Sequence, residues 1–432
     1  MPNQTLIIGA GLAGLTCARQ LGPRALVVEA QPFVGGVATT HQRSGFHFDC
    51  TGHWLHLRDP RVQALVATLL PDAWRVIERR AAIYSHGRFT PYPFQANTFG
   101  LPPDVVADCV LGYFAAQQPT VARGEPRSLE DFIRSRMGDG IADHFMVPYN
   151  TKLWTLPPAE MDHRWCHRFV PLPTAEEVVY GAIRPGGAGG RMGYNATFLY
   201  PHAGGIGVLA QVLADDPAVS LRLGCAVRGI RWRDREATFA DGSTFAFGDL
   251  VSTMPLPDLV ASMVDVPEAI ADAAARLRAV SVTYWDLGFA RPNAPKDPHW
   301  IYFPGADLPF YRVGSASAVA PHVAPPGHRS YCVEVSHRRG EPCGVSDTAI
   351  MDGLRRVGLV AHDEEPIVCE RSTIGCAYAL MDHHYHEARQ TILQWLGDVG
   401  IDSIGRYGAW MYDSMEGAMG QGMACGERLR HR

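Results

Sequence analysis

Lysine is nearly missing from this chain. Lys152 and Lys296 are the only two among 432 residues, so the other 37 of its 39 basic side chains are arginine. Catalysis through a lysine amine therefore has two candidates at most, and an arginine taken alone signals nothing. No CxxC pair occurs, and the ten cysteines are scattered. That is the pattern of reduced thiols in a cytoplasmic protein, with no zinc site and no disulfide framework. No apolar run reaches the roughly 18 residues of a membrane span. The apolar stretch 6–18 has the look of a secretion signal, yet it holds three glycines and lacks a basic flank, so it reads as part of the fold. A formal net charge of −5 excludes a broad basic face for nucleic acid. Repeats and low-complexity tracts are absent. With 47% apolar and 19% charged residues the chain is globular. At roughly 150 residues per domain, its length implies two or three domains.

The first strong pattern stands at the start. Thr5-Leu6-Ile7-Ile8-Gly9 predicts a short buried strand. Gly9-Ala10-Gly11-Leu12-Ala13-Gly14 follows, then a helical pattern to about Leu21, a second strand over 25–28, and Glu29. Gly9 permits a tight turn, Gly11 lets backbone approach a pyrophosphate, and Gly14 lets helix and strand pack closely. The helix start offers free N–H groups and a positive dipole to phosphate. Glu29 lies twenty residues beyond Gly9, where an acid accepts from ribose hydroxyls. A GxGxxG alone also fits a glycine-rich turn in an unrelated strand–helix unit. Here strand, turn, helix, strand and acid come in the order that a dinucleotide site requires.

Further along, residues 57–75 and 102–162 carry helical spacing, with a helix start at Pro102-Pro103-Asp104. Residues 165–194 are rich in proline and glycine and read as a mobile loop. Residues 220–250 alternate as short strands around an Asp241-Gly242 turn. Val280–Phe289, Trp300–Phe303 and Tyr331–Val335 read as strands of one sheet. Residues 388–397 are helical, and 404–432 contain six glycines, a composition that lets backbone come close to a ligand. His383, His384 and His386 form a tight cluster, read as a polar loop because no carboxylate–His spacing accompanies it.

With Gly35-Gly36 following Glu29, the opening pattern resembles that of the glutathione-reductase and amine-oxidase type flavoproteins. The resemblance implies FAD, with Gly9, Gly11, Gly14, Glu29 and Gly36 in its site. Three later segments support it. Leu250-Val251-Ser252-Thr253-Met254-Pro255 resembles the return strand of the flavin domain. Leu223-Gly224-Cys225-Ala226-Val227 resembles the strand that passes the adenine, which gives Val227 a cofactor contact. Gly204-Gly205 matches the turn back into that domain.

Longer blocks are more specific. Pro91-Tyr92-Pro93-Phe94-Gln95-Ala96-Asn97, Pro148-Tyr149-Asn150-Thr151-Lys152-Leu153-Trp154, Tyr194-Asn195-Ala196-Thr197-Phe198, Trp300-Ile301-Tyr302-Phe303-Pro304, Pro309-Phe310-Tyr311-Arg312 and Gly405-Arg406-Tyr407-Gly408-Ala409-Trp410-Met411-Tyr412 resemble the UDP-galactopyranose mutase family, closer to its eukaryotic form. They fall in the family's order across most of the chain. The resemblance implies an α/β fold with a discontinuous Rossmann-like FAD-binding domain over 1–75, 203–265 and 398–432. It adds a helical insertion over 98–164 and an antiparallel β-sheet substrate domain, with a mobile loop, over 76–97, 165–202 and 266–397. The implied activity is the interconversion of pyranose and furanose forms of a nucleotide sugar. The flavin must be reduced, and its N5 takes the sugar while the nucleoside diphosphate leaves and returns. NAD(P)H is one candidate reductant, although no second dinucleotide motif is present.

On this resemblance Arg168 and Arg312 hold the departing diphosphate, since the planar guanidinium binds phosphate bidentately and stays charged. Tyr378 and Tyr412 reach the same group through their hydroxyls; Tyr378 rests on a looser match and reads equally as a core aromatic. Tyr92, Phe94 and Gln95 form the nucleobase pocket. Trp300 and Tyr302 line the nucleoside side, Trp154 is a further substrate-binding residue, and Asn195 faces the diphosphate from the loop. Gly52 and His53 contact the flavin ring, although a buried structural histidine is the other account of His53. Arg406 approaches the flavin, where positive charge favours its anionic reduced form. Three positions depart from the family pattern. Ala96 replaces an Asn, His56 stands where an aromatic is usual, and Glu416 replaces an Asn beside the cofactor or sugar. These leave open which sugar and which nucleotide are used. The competing reading on the same scaffold is an FAD-dependent oxidase or desaturase of the amine-oxidase and protoporphyrinogen-oxidase type. Another is a binding protein like the Rab GDP-dissociation inhibitors.

Overall fold

The structure is a computed structural model that describes residues 4–118, 125–166, 170–187 and 196–431. Arg168 and Asn195 lie outside the described residues. Thr5–Ile8 is buried along its whole length and pairs in parallel with Ala25–Val28 on one side and Asp249–Ser252 on the other. Ser220–Arg222 extends the sheet beyond Ala25–Val28, and Ile401–Ser403 extends it beyond Asp249–Ser252. Parallel strands buried on both faces read as continuous apolar runs, which is what 6–8 and 25–28 show. The helices Leu12–Leu21 and Met415–Arg430 cross in close contact on this layer. A Cβ on Gly422 would stand 2.3 Å from the Ala13 carbonyl oxygen, and one on Gly426 would stand 2.5 Å from Gln20 Cβ.

A seven-stranded sheet forms the second body of the molecule. Its order is Val368–Leu380, Arg278–Phe289, Arg329–Arg338, Arg312–Gly314, Trp300–Tyr302, Ala81–Ser85 and Arg88–Pro91. All neighbours are antiparallel except Trp300–Tyr302 with Ala81–Ser85. Those two segments are far apart in sequence, so no hairpin dictates their direction. Alternation sorts the residues between two faces. Trp285, Val333, Val335, Val313 and Ile301 face away and pack with Ile350, Met351 and Leu354 of the helix Asp347–Arg356. Val282, Glu334, Arg312, Tyr302 and Trp300 face the other way, toward the flavin-type sheet.

Helices cover the remaining side: Pro103–Ala116, Leu129–Met137 and Val147–Trp154, with a π-turn at Ala142–Met146 leading into the last. Pro103 occupies the first helical position, as the Pro-Pro-Asp start predicts. Among the described residues no helix is long and apolar enough to cross a membrane.

Three sequence expectations need correction. Residues 57–75 are not one helix: the helix is Pro60–Leu69, and Trp74–Glu78 is a strand paired with Thr197–Pro201. Pro71 stops the helix, since proline disfavours helical geometry in the residue before it. Within 165–194, Ala175–Ile183 is a helix whose Thr174 and Glu177 form a reciprocal capping box. Residues 223–227 are not one strand. The edge strand ends at Arg222, Gly224 turns the chain with φ +64°, and Val227 starts a separate antiparallel sheet.

Candidate active site

A cavity of about 660 Å³ runs between the two sheets. Its first end is the turn after Thr5–Ile8. Gly9 has φ +103°, a conformation that side chains rarely adopt, and its N–H donates to the Val28 carbonyl. Gly14 packs against that turn so closely that a Cβ would stand 2.0 Å from the Gly9 oxygen. Gly11 differs, because the nearest atom to its absent Cβ is the Gly35 carbonyl oxygen at 3.9 Å, so space lies open beside the helix start. Glu29 lines the cavity; its carboxylate accepts from the backbone N–H of Ala10 and Gln31, both at 2.8 Å. Gly36, Val227 and Thr253 complete the walls of this end. An open glycine beside a helix start, an anchored acid and a long cavity are what an FAD molecule needs, and the volume falls within the usual ligand range.

The far end is rich in guanidinium and hydroxyl groups. Directly opposed residues across strands share a face. One row of the seven-stranded sheet therefore sets Tyr284, Glu334, Arg312 and Tyr302 side by side. Arg312 donates from Nε and Nη2 to the two oxygens of Glu334 at 2.7 and 2.6 Å, and the Tyr311 hydroxyl donates to the same carboxylate at 2.5 Å. Glu334 is only 1% exposed. Burial works against charge on Arg312, and Glu334 outweighs it, so the arginine's pKa rises. Arg312 also lies 4.5 Å over the Trp300 ring, on which Trp54 stacks at 4.0 Å.

Two further arginines have no carboxylate in ion-pairing reach among the described residues. Arg406 donates to the carbonyls of Asp413 at 2.6 Å and Ala377 at 3.3 Å, and lies over Tyr378 and Tyr412. Those two tyrosine rings stack on each other at 6.1 Å. Arg79 donates to the Tyr302 hydroxyl at 2.8 Å and lies 4.6 Å over Tyr92. Neither Arg79 nor Glu334 was singled out from sequence. One was hidden among 37 arginines. The other had a usable signal, a lone carboxylate inside the apolar run Tyr331–Val335.

His53 lines the same end, with Nδ1 2.7 Å from the Cys50 carbonyl. Burial, then the charge of Arg406, holds its pKa down at about 4, so the ring is neutral at pH 7. Gly52 packs its bare backbone on the Trp300 ring. Gln95 lines the cavity and donates to the Pro171 carbonyl at 2.6 Å. Glu416 turns to the main chain, where one oxygen accepts from the N–H groups of Arg58 and Asp59. His56 is tied by Nδ1 to the Thr197 carbonyl.

The structure moves one expected contact. Phe94 is fully buried and stacks on Phe145 in the core, so it offers no face to a nucleobase. Trp154 is 1% exposed but lines the cavity; its N–H donates to Asn150 Oδ1 and its ring meets Tyr378 and Tyr412 edge-on. The Trp300 faces are likewise taken by Trp54 and Arg312, so only its edge is presented.

A family profile described as flavin containing amine oxidoreductase matches residues 12–359. The chain belongs to that family. Among curated members, the chloroplastic protoporphyrinogen oxidase 1 of Arabidopsis thaliana is 23% identical over 168 residues. That match covers 36% of this chain and 31% of the plant protein, so it spans about a third of that relative. Solved structures match over nearly the whole chain. A reduced UDP-galactopyranose mutase aligns with TM-score 0.91 and 25% identity, over 99% of this chain and 95% of its own. A putative protoporphyrinogen oxidase from Exiguobacterium sp. aligns with TM-score 0.74 and 18% identity, over 100% and 99%. A putrescine oxidase aligns with TM-score 0.66 and 16% identity, over 99% of each chain. The last two establish the shared fold. Membership of the family implies FAD as the cofactor, in agreement with the glycine turn and cavity.

Proposed function

We propose that this flavoenzyme is a nucleotide-sugar mutase that interconverts pyranose and furanose rings of a nucleoside diphosphate sugar, UDP-galactopyranose or a close relative. The observation that carries this reading is the far end of the cavity, where Arg79 meets the Tyr302 hydroxyl, Arg406 lies over the Tyr378 and Tyr412 rings, and neither arginine has a carboxylate partner among the described residues. Such an end attracts a dianionic leaving group and repels a cationic amine. The whole-chain likeness to a reduced mutase supports the same choice.

Reduced flavin, when bound, supplies the nucleophile that displaces the diphosphate and is regenerated when it returns. The chain's own residues do the rest. Glu334 and Trp300 fix Arg312, whose Nη1 is left for a phosphate oxygen. The hydroxyls of Tyr378 and Tyr412 donate to the same group, and Arg168 adds charge from outside the described residues. Tyr92 and Gln95 receive the base. Arg406 brings positive charge to the flavin end, where it stabilises a reduced ring. Neutral His53 keeps a lone pair on Nε2 once Nδ1–H donates to the Cys50 carbonyl. Lysine near the flavin, frequent in the amine oxidases, has no counterpart here. Lys152 is tied to the carbonyls of Phe303 and Gly305, and neither lysine lines the cavity.

The test is product analysis with dithionite-reduced protein and a panel of nucleotide sugars. The expected result is a furanose isomer with no net oxidation, and no turnover by oxidised protein. Oxygen uptake with an oxidised product, or no isomer from any donor, overturns the reading. Anaerobic NADPH is expected to bleach the flavin if it is the reductant.

A further inference from the structure

Behind Trp300, beside the main cavity, lies a small space of about 20 Å³. Sheet register explains why it exists. A second row on the same face runs Asp286, Cys332, Gly314, Trp300, each directly opposite the next. Gly314 contributes no side chain, so the row has a hole between Cys332 and the indole. The Trp300 Nε1 borders that hole: a Cβ on Gly314 would stand 3.1 Å from it, and one on Gly52 would stand 2.6 Å away. Three buried polar atoms on residues that line the space have no hydrogen-bond partner among the described residues. They are Asp286 Oδ1, Trp300 Nε1 and Ser330 Oγ. Asp286 is 6% exposed and Ser330 1%.

Buried polar atoms left unpaired each destabilise by roughly 1–3 kcal/mol, and native structures rarely leave three around one void. A water needs roughly 10–15 Å³ of such space and two to four polar partners. The geometry points to a permanently bound water that accepts from the Trp300 indole N–H, donates to Asp286 Oδ1 and pairs with the Ser330 hydroxyl. Asp286 is thereby a positioning residue. Through the water it fixes the indole plane, and the indole carries Arg312 on its face. The consequence for anion binding rests on the mutase reading; the water site itself does not.

Two measurements test this. A crystal structure of the oxidised FAD-bound protein is expected to show one water within hydrogen-bond distance of both Trp300 Nε1 and Asp286 Oδ1; a dry space there overturns the proposal. The second measurement is UDP affinity of the holoenzyme, read by titration, for Asp286→Ala, Trp300→Phe and the double variant, with Asp286→Asn as the conservative control. Each single change is expected to weaken UDP binding roughly three- to tenfold, with the double variant little worse than either single, since both break one bridge. Asp286→Asn keeps an acceptor and is expected to bind UDP like the parent. Independent, multiplying effects would overturn the coupling. A parent protein that binds no UDP at all would sink the mutase reading instead, and the crystal structure would still decide the water.

Discussion

At the scale of single residues, the arginines divide by what faces them. Arg312 is locked by a buried carboxylate, whereas among the described residues Arg79 and Arg406 meet hydroxyl, carbonyl and ring partners and no carboxylate. Removing Glu334 as Ala leaves Arg312 buried and unpaired, at about 3–5 kcal/mol of stability; urea unfolding of E334A measures it. R312K keeps the charge but loses the fork, so kcat/KM with the nucleotide sugar is expected to fall at least about tenfold. Unchanged kinetics would remove Arg312 from the proposed diphosphate site. His299 offers a pH signature. It is fully buried, and burial first, then the charges of Arg80 and Arg79, hold its pKa down at about 3. The unfolded chain takes up that proton near pH 6.5 and the folded chain only near 3. Stability is therefore lost as pH falls through that window, at up to about 1.4 kcal/mol per pH unit. H299F is expected to flatten the fall in urea midpoint between pH 6.5 and 4.

Elements were legible where local chemistry and packing agree. The glycine turn, the helix start at Pro103 and the sheet strands near 280, 300 and 331 follow from sequence alone. Failures came where tertiary contact overrides propensity. Met415–Arg430 contains Gly417, Gly420, Gly422 and Gly426, a composition that weakens a helix, yet it is one. Gly422 and Gly426 are there because the helix Leu12–Leu21 passes too close for side chains. Phe94 was placed at the base pocket because the block 91–97 resembles the family's; Tyr92 and Gln95 of that block line the cavity, and Phe94 points the other way, against Phe145. Sequence neighbours on a short turn diverge in space, and no pattern reports that. G422A drives a methyl into the Ala13 carbonyl, so a loss of about 2 kcal/mol or more is expected. Its readout is a lower Tm together with reduced flavin content, because the helix that moves starts at the pyrophosphate turn.

For the whole molecule, the cavity is the seam between two sheets, and the cofactor that fills it should bind both. Ligand held by the folded state alone stabilises by about 4 kcal/mol at a thousandfold excess over its Kd. Stripping FAD is therefore expected to lower Tm by several degrees, and adding it back to restore the original value. A Tm indifferent to FAD would mean that the folded chain does not hold the cofactor.

The seam is closed late in the chain. Residues 405–407 and 412–418 form part of its wall, and Ile401–Ser403 is an edge of the same sheet as the opening strand Thr5–Ile8. A nascent polypeptide halted before residue 400 would present the glycine turn without the enclosure around it. Capture of the prosthetic group then waits until the ribosome has delivered residues 405–418, long after the glycine turn at 9–14 has emerged.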